Sequence, residues 1–128
     1  MSSARAIVAG HADFAAGLVS AVEQISGRGD ALVPIQVRGL CGDDIEKLLL
    51  DTMQKHEVRV IFTDLQAGSC TMAARRILRV VGDGLLVAGA NLPMLLDFAL
   101  SAVEDPVEAA RLSAERGRTA VSVHGATP

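Results

Sequence analysis

Short apolar runs alternate with longer amphipathic segments along the whole chain, and that rhythm leaves few folds open. The runs are Ala4 to Ala9, Ala31 to Val37, Val58 to Thr63 and Leu85 to Ala88. Each is too short for a helix that packs on its own and is rich enough in β-branched and aliphatic side chains for a buried strand. The segments between them carry apolar residues at helical spacing. Strands that alternate with helices of this length predict successive βα units around a largely parallel sheet, with helices on both faces. The expected fold is therefore α/β, a three-layer sandwich, and 128 residues suit a single domain.

The punctuation sharpens the outline. A first helix is predicted over Phe14 to Ser26, stopped by Gly27, with Phe14, Leu18, Ala21, Val22 and Ile25 facing the sheet. Pro34 cannot donate to a ladder, so the second strand belongs at an edge. Gly42, Asp43 and Asp44 open a helix that runs to about His56, the carboxylates lying where the helix dipole favours them. Its inward face is Ile45, Leu48, Leu49, Thr52 and Met53. A third helix is expected from Cys70 to Val80. Asn91 is suited to cap a fourth, with Pro93 in its first turn and Leu92, Leu95, Leu96, Ala99, Leu100 and Val103 as its buried stripe. Pro106 starts a last helix that Gly117 is expected to end, leaving Thr119 to Val123 as a β-prone tail.

Composition removes several classes of function. Twelve Lys and Arg against fifteen Asp and Glu leave a net charge of -3, without the basic excess of a nucleic-acid binder. Three Phe, no Trp and no Tyr supply neither base-stacking platforms nor a sugar-stacking surface. Cys41 and Cys70 stand far apart, and His56 and His124 have no ligand-like spacing, so no disulfide, metal or cofactor is expected. That cysteine usage suits a reducing, cytoplasmic setting. No stretch approaches the roughly 20 apolar residues of a membrane span, and no export signal is seen, so no membrane insertion is expected.

Open α/β sheets bind ligands beyond the carboxyl ends of their strands, which selects three loops here: Gly10-His11, Asp64 to Ser69, and Gly89-Ala90-Asn91. His11 directly follows a buried strand and precedes a helix, which holds its backbone while exposing its ring. It suits a nucleophile or proton carrier, and equally a turn histidine. Asp64 closes the third run and can reach His11 if the first and third strands are neighbours. A carboxylate on one ring nitrogen selects the tautomer and stabilises the imidazolium formed when the other nitrogen attacks. Gly68 and Ser69 fall where a helix begins, a place for backbone N–H groups and a hydroxyl to receive phosphate oxygens. The P-loop pattern is absent, and the only lysines, Lys47 and Lys55, lie on the second helix, which argues against nucleotide hydrolysis. Arg75, Arg76 and Arg79 read as a solvated helix face, and Cys70 as a buried, inert thiol.

Three segments, GHADFAAGLVSAVEQISG at 10–27, FTDLQAGSC at 62–70 and VAGANLPMLLDFAL at 87–100, together resemble the mannose-type IIA domain of the bacterial phosphoenolpyruvate-dependent sugar phosphotransferase system. The likeness spans nearly all of residues 1–128, and its first and third segments are specific. It implies a parallel sheet of order 2-1-3-4, completed by an antiparallel C-terminal strand exchanged within a homodimer, a part open to Thr119 to Val123. It implies that His11 carries the phosphoryl group as a phosphohistidine and that Asp64 is its hydrogen-bonding partner. The phosphate donor would be the carrier HPr and the acceptor a IIB component. Sugar recognition would belong to the IIC and IID membrane components.

The second segment departs from the family pattern, with Ala67 in place of a glycine and Cys70 in place of a proline. Ala67 would be strained if its position needed positive φ. A regulatory paralogue of the same fold, its His11 acting as a signal rather than in transport, is the alternative reading. A receiver domain of a signalling pathway also places an aspartate after its third strand. It needs an acidic pair after the first strand and a lysine near the end of the sheet, and this chain has His11 and no such lysine.

Overall fold

The computed structural model describes residues 3–126. Four strands, β1 (Ala6–Gly10), β2 (Leu32–Gln36), β3 (Val60–Thr63) and β4 (Leu85–Ala88), form one parallel sheet in the order β2-β1-β3-β4. Five helices follow the chain between and after them: α1 (Phe14–Ser26), α2 (Gly42–His56), α3 (Ser69–Val81), α4 (Leu92–Leu100) and α5 (Pro106–Thr119). A 3-10 turn, Gly29–Ala31, leads into β2.

The two-residue period of a strand divides the core into two layers. Ala6 and Val8 of β1 and Val60 and Phe62 of β3 point to α1, α4 and α5. Ile7, Ala9 and Ile61 point to the opposite face, against Ile45, Leu49 and Met53 of α2 and Cys70, Ala73, Ala74 and Ile77 of α3. Every residue of β1 and β3 is buried, because helices cover both faces of these central strands. Phe62 and Phe98 meet edge to face at 5.1 Å within the first layer.

The boundaries of β4 and α1 fall where the sequence places them, with Gly27 left-handed at φ 71°. Pro34 lies on the edge strand, opposite Val8. Asn91 caps α4, its side-chain oxygen accepting from the Met94 N–H at 3.0 Å.

Four expectations need correction. Ile25 is 61% exposed and Leu100 is 57% exposed, because α1 turns Ala15 and Val22 to the sheet and α4 turns Met94, Leu95, Phe98 and Ala99 inward. Gly117 does not end α5; it is buried within it. A Cβ there would lie 2.5 Å from Met94 Cβ, and its carbonyl accepts from Asn91 Nδ2 at 2.9 Å. The glycine lets α5 approach α4, a packing role that local propensity does not reveal. Nor does the tail complete the sheet within this chain. Thr119 ends α5 and the described residues after it join no ladder, with Val121 and Val123 exposed.

Candidate functional site

β1 is central, with α1 leaving it toward one face, while α3 leaves the adjacent β3 toward the other. The crevice at such a divergence lies beyond the carboxyl ends of the two strands. Ala9 pairs with Thr63, so the next residues, Gly10 and Asp64, face each other where the ladder stops. Asp64 then takes over from the backbone. Its Oδ2 accepts the His11 backbone N–H at 2.8 Å and contacts His11 Nδ1 at 2.7 Å.

That double contact selects the tautomer of the imidazole. An ionised carboxylate only accepts hydrogen bonds, so Nδ1 carries a proton, and in the neutral ring the lone pair is then on Nε2. Burial pushes the Asp64 carboxyl up, but the His11 backbone N–H, the ring contact and the ring's charge together outweigh it, holding the group below its ordinary 3.8. The aspartate is ionised at neutral pH. Its side chain is only 10% exposed against 58% for His11, so the orienting group is walled in and the oriented ring faces solvent.

The backbone beneath the ring is tightly specified. A Cβ on Gly10 would lie 2.6 Å from Phe14 Cδ2 and 2.9 Å from Asp64 Cγ, so only glycine lets β1 pass between them. Ala12 follows His11 with φ 46°, a left-handed conformation rare outside glycine. The chain turns there, and the Phe14 N–H donates to the His11 carbonyl at 2.9 Å.

Of the remaining expected residues, Gly68 adjoins the ring: a Cβ there would lie 3.2 Å from His11 Cε1. Gly68 is also the N-cap of α3, in extended conformation and with no side-chain cap, and Ser69 is the first helical residue, exposed. The third loop, Gly89 to Asn91, is fastened to the same strand end. The N–H groups of Gly89 and Ala90 donate to the Thr63 carbonyl at 3.0 and 2.9 Å.

Ala67 does not have positive φ, so alanine stands there without strain. Cys70 occupies the second residue of α3, fully buried, and burial with the nearby Asp64 charge pushes its thiol up to about 11. It is not a nucleophile at neutral pH. Arg75 and Arg79 lie on the exposed face of α3, and Arg76 pairs with Glu46 of α2 at 2.7 Å. His56 and His124 lie on other parts of the fold, and no group of three potential metal ligands occurs among the described residues. No helix among them is long and apolar enough to cross a membrane.

One buried contact between two residues has no counterpart in the sequence reading. Thr63 and Thr71 are fully buried and share a hydrogen bond of 2.7 Å, and the Thr71 hydroxyl also donates to the Leu65 carbonyl. Two threonines eight residues apart give no periodic signal.

The fold and site define a class: a doubly wound parallel α/β domain presenting a carboxylate-oriented histidine at its switch point. Comparison with known proteins makes this specific. Residues 5–114 match the model of the family described as the PTS system fructose IIA component, and the chain belongs to that family. A search of curated protein sequences gives no match. Among solved structures, the chain is similar to the mannose/sorbose specific IIA subunit of the phosphotransferase system from Enterococcus faecalis. That similarity has a TM-score of 0.80 and 22% identity, covering 98% of this chain and 97% of the other. It is also similar to the PTS IIA protein associated with the fucose utilization operon from Streptococcus pneumoniae, with a TM-score of 0.79, 18% identity and 96% of each chain covered. A putative sugar phosphotransferase permease from Klebsiella pneumoniae matches at 0.77 and 24% identity, over 93% of this chain and 89% of that one.

Proposed function

We propose that the chain is a single IIA domain that carries a phosphoryl group on His11, accepting it from phospho-HPr and passing it to a IIB component that serves IIC and IID membrane partners. The observation that carries this reading is the 2.7 Å contact between Nδ1 and Asp64 on a ring whose other nitrogen is free to attack. Nε2 uses its lone pair to form the new P–N bond while the bond to the donor imidazole breaks. The Nδ1 proton stays on the ring, and the positive charge that develops there is stabilised by the Asp64 carboxylate.

Gly68 and Ser69 are the residues for the phosphate oxygens. The first-turn N–H groups of α3 have no side-chain cap, and the partial positive charge of the helix end favours an anion. Gly68 has no side chain to obstruct the ring edge. The transfer requires positioning and charge stabilisation from these residues, and the chemistry needs no metal or cofactor. Such a carrier works in the cytoplasm, where HPr is found.

The same reading includes a homodimer. The β4 edge is open, its four residues all half-buried, beside a groove of about 350 Å³ shared with Arg111, Ala114 and Arg118 of α5. Val121 and Val123 are apolar and exposed at 74% and 93%. A second copy's tail laid on β4 would bury them and satisfy an edge that otherwise invites pairing.

The test is phosphorylation of the purified chain by phosphoenolpyruvate, enzyme I and HPr, followed by intact mass, beside His11→Ala. One acid-labile, base-stable phosphate is expected on the native chain and none on the variant. Full labelling of His11→Ala overturns the assignment.

A further inference from the structure

Asp64 must aim one oxygen at His11, yet one of its two carboxylate oxygens has no partner to hold it. Oδ2 is engaged by the backbone and the ring of His11, and Oδ1 is buried with no hydrogen-bond partner among the described residues. The direction of the carboxylate is therefore set by the backbone on either side, at Thr63 and Leu65. Both are tied to one group. Thr71, in the first turn of α3, donates its hydroxyl to the Leu65 carbonyl. A hydroxyl has a single proton, so the 2.7 Å bond between the two threonines is donated by Thr63 to Thr71 Oγ1. Thr63 in turn accepts the Gly89 and Ala90 N–H groups on its carbonyl, so the chain of bonds runs from the third loop through β3 to the start of α3.

We infer that Thr71 is a positioning residue for Asp64: its buried hydroxyl clamps the residues on both sides of the aspartate and so fixes the tautomer of His11. This rests on the reading of His11 and Asp64 as the reactive pair. Leu65, Gln66 and Ala67 are exposed and their side chains make no hydrogen bond among those described, so the Thr71 hydroxyl is the side-chain tie between this loop and the core. A hydroxyl pair in a buried layer is costly unless both members are satisfied, and here the two protons have defined acceptors. Packing alone would be met as well by valine, which has the same shape.

That equivalence supplies the test. Thr71→Val leaves the Thr63 hydroxyl buried without its acceptor, whereas replacing both threonines by valine removes the pair and keeps the volume, a change that tends to be close to neutral for stability. Full-length chains labelled with ¹⁵N-histidine are compared by NMR with the ring neutral, reading the ratio of Nδ1–H to Nε2–H tautomer at His11. Phosphorylation rates from HPr are measured in parallel.

The native chain is expected to hold the Nδ1–H form. In Thr71→Val and in the double valine variant the ratio should fall about fivefold or more and the rate roughly tenfold, the scale of effect expected from a slightly misaimed partner. Thr71→Ser should restore both. If the double variant is folded and keeps the native tautomer ratio, the inference is overturned. A ratio that responds in a chain HPr does not phosphorylate would refute the proposed function and leave the clamp standing. Failure of Thr71→Ser to restore the ratio would show that the methyl group, and not the hydroxyl, matters, and would also overturn it.

Discussion

The two ends of β3 carry side-chain pairs of nearly the same length in different surroundings. At the amino end, Arg59 and Asp83 meet at 2.8 Å, their side chains 48% and 63% exposed. At the carboxyl end, His11 and Asp64 meet at 2.7 Å, but the aspartate side chain is 10% exposed and takes a backbone N–H as well. An exposed pair is screened by water and contributes about 0–1 kcal/mol. A nearly enclosed carboxylate has its charge supported by few, fixed dipoles, so removing one is felt fully. Distance does not separate the two pairs; burial of one partner does.

The sharpest way to break the carboxyl end is Gly10→Ala. The new Cβ would strike Phe14 and Asp64 together, so a loss of about 2–3 kcal/mol in urea unfolding is expected, along with phosphorylation at His11. Gly117→Ala makes a comparable clash with Met94 Cβ, but away from the pair. It should cost about 1–3 kcal/mol while the folded fraction still takes phosphate on His11. A phosphate-free but folded Gly117→Ala protein would contradict the separation of packing from chemistry.

Asp64→Asn tests the pair with little change of shape. Phosphorylation by HPr should slow on the order of 100-fold, since the amide cannot stabilise the charged ring. The pH profile of stability follows from the sign of the shift. Because the Asp64 carboxyl is depressed on folding, its contribution is fully present above its ordinary 3.8 and is lost as pH falls below that value through the folded-state one. The native chain should therefore lose stability more steeply than Asp64→Asn below pH 3.8, as read from urea midpoints across that range. The smallest effect is expected at the other end of the strand: Arg59→Gln should change stability by less than about 1 kcal/mol, decreasing with salt, and leave phosphorylation untouched. An effect as large as that of Asp64→Asn would erase the contrast.

Much of this was legible in the residues. Gly27 and Asn91 end and begin helices through their own backbone and side-chain chemistry, which needs no distant neighbour. Pro34 marks an edge strand by what it lacks, a donor. His11 and Asp64 stand out as polar groups directly after apolar runs. Where reading failed, a distant contact decided: Gly117 resembles a helix stop until Met94 and Asn91 are seen against it, and Ile25 completes an apolar stripe that α1 does not turn inward. The tail after Thr119 has strand-forming residues but no ladder partner within the chain.

The sequence by itself thus determined the α/β rhythm, the edge position of β2, the family resemblance and the candidate pair, because strand and helix periodicity and cap chemistry are local properties. Only the tertiary structure decided that Asp64 is enclosed while His11 is exposed, that Gly10 is squeezed between Phe14 and that carboxylate, and that Thr63 and Thr71 share a buried bond. Those facts depend on residues 53 positions apart being brought together by the parallel pairing of β1 and β3, and on α3 returning across β3. No run of neighbouring residues encodes such a juxtaposition; it exists only once the sheet has closed its ladder and both faces are covered.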